Sequence, residues 1–228
     1  MKFKSQVYTQ TSGSIGGITY SHNQGGLYTR ARTIPVDPAS SFQLAVRNSV
    51  AQLVSRWRQV LTQLQRDAWD VFAVNTPVVN SFGDSVLISG QAWYIKANSA
   101  RNAVGTTIVN DAPTIFGNAS LTTPTVVASA ATETYAVTFT NTDIWATAVG
   151  GHLLMYGSRP QNVSINFFKG PYRFAGRVNG AVVPPTSPAA IVSAFPFPVG
   201  VKLFVVFVAT QANGQISAKQ RIAVVPGA

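Results

Sequence analysis

The chain has 228 residues, and 17 lysines and arginines against 7 aspartates and glutamates give it a formal charge of +10. Its composition, 46% hydrophobic but only 11% charged, excludes general disorder because it provides enough apolar surface for a packed core. The absence of cysteine excludes disulfides, thiolate metal sites and cysteine nucleophiles. A surface built mainly of uncharged polar residues favours a structural role, in which other subunits cover much of the chain.

The first ten residues, MKFKSQVYTQ, have no apolar stretch after the lysines and do not read as a signal peptide. The longest apolar run in the most hydrophobic region is Leu203 to Ala209, far below the roughly 20 residues of a membrane-spanning helix. We therefore expect a protein made in the cytosol, with no membrane partner.

Residues 1–36 are rich in glycine and threonine, and two β-like runs, Ile18 to His22 and Leu27 to Ile34, flank a glycine-containing turn. This order predicts a β-hairpin arm. Alternate residues of a strand share a face. The second run therefore places three side chains on one basic and aromatic face: Tyr28, Arg30 and Arg32.

Residues 37–105 are predicted to form three helices. Asp37-Pro38 supplies an N-cap followed by proline, which predicts the start of the first helix. The residues of its predicted stripe recur at three- and four-residue spacing; they are Phe42, Val46, Val50 (or Ser49), Leu53, Trp57 and Val60/Leu61. Three arginines lie off that stripe: Arg47, Arg56 and Arg58.

The second helix is predicted to start at Thr62, because Gln65 three residues later completes a capping-box pattern. Its apolar face is predicted to comprise Leu64, Ala68, Val71 and Phe72, with Arg66 and Asp70 as an ion pair at i,i+4. The third helix is predicted from Ser89 to Gly105, with Trp93, Ala97, Ala100 and Val104 on one stripe. Trp57, Phe72 and Trp93 are the predicted core contacts between the helices.

Residues 106–124 are predicted to be a linker, and short β-like runs separated by turns follow from residue 125 to 228. This pattern predicts an antiparallel β-sandwich. The run Leu203 to Ala209, the turn Asn213-Gly214 and the residues after it resemble the last hairpin of a fibronectin type III domain. The predicted fold class is α+β, with a hairpin arm, a helical segment and a C-terminal fibronectin-like or immunoglobulin-like sandwich.

The sequence offers little for catalysis. Among the seven acids only Asp67 and Asp70 are close in sequence, and their helical spacing favours solvated ion pairs. His22 and His152 are too few for a metal site of several histidines, and no G-x-S-x-G elbow or phosphate-binding loop is present. We therefore predict no catalytic residue, no metal and no cofactor, and a protein that is not an enzyme.

The basic residues are the candidate partner-binding set: Tyr28, Arg30, Arg32, Arg47, Arg56 and Arg58. Arginine and aromatic residues are common at protein interfaces, and the same residue types bind nucleic acid. The net charge is +5 both before and after residue 120. This even division favours an acidic protein surface over nucleic acid, which stays open as an alternative.

One stretch runs from Gly25 to Pro38, and related motifs follow in Trp57-Arg58, Leu61 to Trp69 and Ser89-Gly90-Gln91. Together they resemble uncharacterised proteins of tailed bacteriophages and prophages that are regarded as virion structural components. The resemblance implies a virion protein, and assigns no catalytic or ligand residue. The leading hypothesis is a capsid decoration or cement protein, an auxiliary head protein that forms a homo-oligomer and binds the major capsid protein through its arm and helices.

Three alternatives stay open. The first is a neck or tail structural component of the virion, and the second is a nucleic-acid-binding protein that uses the basic helical face. The third is a hydrolase or carbohydrate-binding sandwich.

Overall fold

The computed structural model describes residues 12–23, 26–34, 36–79 and 83–227. The chain divides into two compact units, of which the first ends at Leu44 and the second begins at Ala45. Below, the first unit is the arm and the second is the body. Each is described by itself.

The described part of the arm contains a three-stranded antiparallel sheet, ordered β1 (Gly13–Ile15), β2 (Ile18–Asn23) and β3 (Gly26–Ala31). The pairing of β2 with β3 confirms the predicted hairpin, whose tip at residues 24 and 25 lies outside the described residues. Strand β1 was not predicted, because Gly13-Ser14-Ile15 has no β-like composition. It turns back onto β2 through Gly16, which has a φ of +57° that favours glycine.

Helix α1 (Ser41–Gln59) begins later than Asp37-Pro38 predicts. Ser40 is the effective N-cap, since the Gln43 backbone N–H donates to Ser40 Oγ at 3.4 Å and the Ser40 N–H donates to Gln43 Oε1 at 3.1 Å. This reciprocal pair is a capping box. The first turn of α1 contains the boundary between the arm and the body.

Helix α2 (Gln63–Asn75) begins at the predicted capping box of Thr62 and Gln65. Its buried face was predicted only in part, because Phe72 is buried as expected but Leu64, Ala68 and Val71 are exposed. Trp69, Phe72 and Ala73 are buried, whereas Leu64 is 80% exposed and Val71 is also exposed. Apolar residues lie on both sides of this helix, and the side with the two large aromatic rings faces the core.

Helix α3 (Gly90–Ala103) begins next to the predicted start, with Ser89 as its N-cap, and Gly105 follows its end with a φ of +69°. Gly90 lies against α2, where a Cβ would come within 2.6 Å of the Asp70 backbone nitrogen. The Gly90 N–H donates to Asp70 Oδ1 at 3.0 Å. The close crossing of α2 and α3 therefore requires glycine at this position. Between these two helices lies a small hairpin of β4 (Val78–Val79) and β5 (Ser85–Val86).

The predicted β-sandwich is confirmed, with two antiparallel sheets. One sheet has the order β10 (Ala189–Val192), β7 (Thr134–Thr138), β6 (Thr125–Ser129). The other has the order β12 (Gln220–Val224), β11 (Leu203–Thr210), β8 (His152–Gly157), β9 (Arg173–Asn179). Helix α4 (Ile144–Thr147) connects β7 to β8. This three-plus-four order is that of a fibronectin-like sandwich.

The four-stranded sheet is covered on both faces. Leu203, Val205 and Phe207 of β11 pack into the core between the two sheets. Val206 and Val208 alternate with them and pack against α1, α2 and α3, in a second core that contains Leu53, Leu61, Trp69, Phe72, Trp93 and Tyr94. The body therefore has three layers, because the helices cover the outer face of one sheet.

Residues 106–124, predicted as a linker, are bonded into the body. Asn98 Nδ2 donates to the Val109 carbonyl at 3.0 Å, and Trp69 Nε1 donates to the Asn110 carbonyl at 2.8 Å. Gln215 Nε2 donates to the carbonyls of Ile115 and Gly117. The predicted helical segment and the predicted sandwich thus lie inside one compact unit, which has no division at residue 124.

Candidate interaction surfaces

The arm sheet has one polar and one apolar face. The register pairs Thr19 with Arg30 and Ser21 with Tyr28, and Arg32 continues the same alternation after β3. Arg30 and Arg32 are exposed, and Tyr28 is half-buried. The structure therefore brings Tyr28, Arg30 and Arg32 to one side, here called the basic arm face. Residues 1–36 contain no acid, so no carboxylate of this segment offsets that charge.

The opposite side of the arm sheet, here called the apolar arm face, contains Ile15, Ile18, Tyr20, Leu27 and Ala31. Ile15 is 78% and Ile18 45% exposed, whereas Tyr20 and Leu27 are half-buried. No described residue from 12 to 44 is buried. A three-stranded sheet needs a covered hydrophobic face for stability of its own. The described part of the arm has no buried core of its own.

The three arginines of α1 that were predicted to bind a partner do not share one environment. Arg47 and Arg58 are exposed, and eleven residues of a helix bring them back to the same side about 16 Å apart. Arg56 points toward the core instead, where its Nη2 donates to Asn110 Oδ1 at 3.2 Å. Burial raises the pKa of the Tyr94 phenol, and the adjacent Arg56 guanidinium opposes that rise. Arg56 therefore has a structural environment unlike that of Arg47 and Arg58.

The first turns of α1 lie outside the core that the three helices form with the sheet. Phe42, Val46 and Val50, predicted to share the buried stripe, are exposed, whereas Leu53 and Leu61 are buried and Trp57 is half-buried. Beside this part of the helix is a shallow groove of about 440 Å³, lined by Ala45, Asn48, Ser49, Gln52, Asn102 and Ala103. The groove has no charged lining residue, and Asn102 Nδ2 donates to Ser49 Oγ across it at 2.8 Å.

Sequence reasoning missed a buried arginine that joins α3 to the sandwich. Arg101 is only 3% exposed, and its guanidinium donates to the carbonyls of Thr107, Gly150 and Gln211 at 2.8, 3.3 and 2.9 Å. Burial lowers its pKa. All of these partners are backbone carbonyls, so the group acts as a clamp between three loops. Nothing in the sequence distinguishes Arg101 from the exposed arginines.

His152, at the start of β8, lies next to this clamp. Its Nδ1 is 3.0 Å from Asn179 Oδ1, and β8 pairing places it opposite Thr210 of β11. Burial lowers the pKa of His152, the Asn179 contact opposes this, and the charges of Arg101 and Arg177 lower the pKa further. The same region contains Thr210 Oγ1, which is buried without a hydrogen-bond partner.

The predicted ion pair of Arg66 and Asp70 is not formed. The Arg66 guanidinium donates to Gln63 Oε1 and to the carbonyls of Trp57 and Arg58. Asp70 instead accepts the Gly90 N–H, and Asp67 accepts Gln63 Nε2 at 2.7 Å. Among the described residues no three histidines or acids cluster to hold a metal ion. No helix in the described ranges is long and apolar enough to cross a membrane.

No family model, curated protein or solved structure matches the chain. The surfaces of the arm and the body are therefore the observations from which a function can be argued.

Proposed function

We propose that the chain is a non-enzymatic structural protein of a tailed-bacteriophage virion, a capsid decoration or cement protein. In this proposal the arm and α1 bind the major capsid protein or another virion protein, and the body remains on the outside of the particle. The observation that carries the proposal is the arm, a sheet in which no described residue is buried. Such a sheet is stabilised by a partner that covers it.

The basic arm face supports an acidic protein partner. Arginine forms bidentate bonds to carboxylates, and Tyr28 adds a half-buried aromatic ring of the kind common in interfaces. Arg47 and Arg58 supply a second pair of exposed cations on one side of α1. The apolar arm face would pack against the partner or extend its sheet.

Mass spectrometry of purified particles tests the proposal. A decoration protein is expected at hundreds of copies, on the scale of the major capsid protein, and a neck or tail component at few copies. Absence from particles would overturn the virion assignment altogether. The double variant Arg30→Ala/Arg32→Ala is expected to lower the copy number, while Arg159→Ala/Lys219→Ala, which removes the same charge from exposed sites of the sandwich, is not.

Nucleic-acid binding is the second candidate, favoured by the acid-free basic arm face. Binding to phosphates predicts that the logarithm of the affinity falls with the logarithm of salt by about 0.9 for each phosphate neutralised. Loss of one arginine would then lower that slope by about one. Duplex binding at micromolar affinity in physiological salt that collapses in Arg30→Ala/Arg32→Ala would replace the protein partner with nucleic acid.

A further inference from the structure

The outward side of α2 is an exposed surface that is both apolar and acidic. Trp69, Phe72 and Ala73 fix which side of the helix faces the core. Five exposed residues lie on the opposite side and are here called the α2 outer face: Leu64, Asp67, Asp70, Val71 and Val74. Their spacing of three and four residues makes them neighbours on the helix surface. Apolar side chains that stay exposed next to one another mark an interaction site.

The α2 outer face is negatively charged in a chain of charge +10. Residues 67–95 contain three acids and no lysine or arginine. Arg66 precedes them, but its guanidinium donates to Gln63 Oε1 and to the carbonyls that end α1. Within the described ranges, Asp67 and Asp70 therefore have no ion-pair partner.

Each of the two aspartates uses one carboxylate oxygen within the chain. Asp67 Oδ1 accepts from Gln63 Nε2 at 2.7 Å, and Asp70 Oδ1 accepts the Gly90 N–H at 3.0 Å. No described residue donates to Oδ2 of either carboxylate. An arginine of a partner binds such an oxygen with a charge-assisted hydrogen bond. The α2 outer face therefore fits a partner that is both basic and able to cover aliphatic side chains.

The basic arm face has the opposite charge and a similar spacing of its charged groups. The Arg32 N–H donates to the Gly17 carbonyl at 2.8 Å, so the pairing of the arm sheet continues to Arg32. Arg30 and Arg32 are then two residues apart on an extended chain, with Cα atoms about 6.7 Å apart. Asp67 and Asp70 are three residues apart on a helix, which places their Cβ atoms about 5–6 Å apart. One strand can therefore bring both guanidinium groups to both carboxylates.

The rest of the basic arm face leaves room for a helix. Arg30 lies opposite Thr19, and Thr19 lies opposite Ser14, with the two hydroxyl oxygens 2.8 Å apart. These short side chains leave the large residues of this face in one row along β3. The stem of an arginine packs on apolar side chains while its charged end reaches a polar group. A helix beside that row thus contacts the arginine stems with its aliphatic residues.

We propose that the basic arm face of one copy docks on the α2 outer face of another copy. The two arm arginines bind the two carboxylates, and the Tyr28 ring packs on Val71 and Val74. The inference rests on the proposed function, because it takes the arm as the binding segment and names a neighbouring copy as the acidic partner of its basic face. The apolar arm face remains for the major capsid protein.

A second copy is the occupant that the charges of the chain favour. Residues 1–36 have no acid, and the α2 outer face has two acids and no cation. At physiological ionic strength charges are screened over about 8 Å, so pairs within the contact outweigh the repulsion between two chains of charge +10. One helix face and one small sheet bury less than the roughly 800 Å² per partner of a standard interface, so we expect micromolar association. A contact between two different surfaces is exchanged by two copies or repeated around a ring.

Sedimentation equilibrium of the full chain at physiological salt, from about 1 to 200 µM, measures this association. The wild type is expected to self-associate as its concentration rises. Asp67→Lys, and separately Arg30→Glu/Arg32→Glu, are each expected to weaken association about tenfold, because like charges then meet in the contact.

Two controls change the charge of the chain equally at exposed sites elsewhere. Glu133→Lys, in the turn between β6 and β7, matches Asp67→Lys, and Arg159→Glu/Lys219→Glu, on the sandwich, matches the arm variant. Both are expected to leave association unchanged.

A mixture of the two impaired variants distinguishes a contact between copies from one within a single chain. In the mixture the unchanged arm of the Asp67→Lys chain meets the unchanged α2 of the arm variant, and the reversed arm meets the reversed helix. Both contacts are attractive, so the mixture is expected to associate within about threefold of the wild type. An arm that docked on its own chain would gain nothing from mixing.

Two results would overturn the proposal. One is a wild-type protein that is monomeric throughout the concentration range. The other is self-association that the two variants do not weaken, or that their mixture does not recover. The particle test is separate: a chain that is monomeric alone but present in particles would remove this contact and leave the proposed function, whereas association of a chain absent from particles would do the reverse.

Discussion

In the arm no described residue is buried, whereas in the body every residue of β11 is buried. The two regions are similar in sequence pattern, since both contain strands with alternating apolar side chains. The difference lies in the layers above and below them. Strand β11 is covered by the second sheet on one face and by three helices on the other. No described residue of the arm forms such a layer over its sheet, so we expect the stability of the arm to depend on what it binds.

Hydrogen exchange is expected to show the largest contrast between the two regions. In the isolated chain, the amides of Leu203–Thr210 are expected to open only with global unfolding, which costs about 5–15 kcal/mol in proteins of this kind. The amides of β2 and β3 are expected to exchange with almost no protection. Strong protection of Ile18 to Ile34 in a verified monomer would show that the arm is stable alone.

Truncation of a buried aromatic side chain in the body is expected to lower the free energy of unfolding by several kcal/mol more than truncation of an aromatic side chain in the arm. Trp69 is fully buried, and its indole N–H donates to the Asn110 carbonyl. Trp69→Ala is therefore expected to lower the free energy of unfolding by about 3–5 kcal/mol. Tyr28→Ala in the arm is expected to change it by less than about 0.5 kcal/mol. Chemical denaturation of both variants checks this, and equal losses would remove the distinction between core and arm.

The next largest loss of unfolding free energy is expected on removal of the Arg101 guanidinium. Arg101→Met keeps much of the apolar stem but removes a donor from the carbonyls of Thr107, Gly150 and Gln211, of which the Gln211 carbonyl still accepts the Gly214 N–H. A carbonyl left without a partner costs about 1–3 kcal/mol, partly offset by removal of a buried charge, so we expect a net loss of about 1–3 kcal/mol. Arg101→Lys is expected to recover part of it. The control is Arg177→Met, because Arg177 also donates to a backbone carbonyl, that of Val104, but is exposed. If Arg177→Met lowered the free energy of unfolding as much as Arg101→Met does, the effect would come from the lost charge and not from the buried hydrogen bonds.

The local elements could be predicted because their signals lie close together in the chain. The capping box of Thr62 and Gln65, the N-cap at Ser89 and the positive φ of Gly105 each depend on a few neighbouring residues. The β-sandwich could be predicted for a similar reason, since turn residues separate its strands. The start of α1 was missed because Asp37-Pro38 and the Ser40 capping box are both valid signals three residues apart.

The packing of helices on the sheet could not be predicted from local patterns. Continuous burial of β11 shows that both faces are covered, but the sequence does not say by what. On α2 the apolar residues surround the helix, so periodicity could not choose between Trp69 and Leu64 for the core. Arg101 was missed because burial of an arginine depends on carbonyls that the fold supplies from distant loops. In the candidate site, alternation grouped Tyr28, Arg30 and Arg32 correctly, but helix position alone did not show that Arg56 turns inward.

The smallest expected effect is a pH dependence that belongs to the body alone. Burial and the charges of Arg101 and Arg177 lower the pKa of His152 in the folded chain. Between that lowered pKa and the ordinary value near 6.5, the unfolded chain binds more protons than the folded chain. Stability is therefore complete above about pH 6.5 and falls as the pH decreases through the folded pKa, by at most about 1.4 kcal/mol per pH unit.

His152→Gln is expected to flatten this decline, because glutamine does not titrate and can still donate to Asn179. Chemical denaturation from pH 7.5 to 5 measures the slope. His22→Gln in β2 of the arm serves as the matched control and is expected to leave the wild-type slope unchanged, since the arm has no core to destabilise. Equal slopes for the wild type and His152→Gln would show that protonation of His152 costs the body nothing, and that the Arg101 region opens to water more easily than its carbonyl contacts imply.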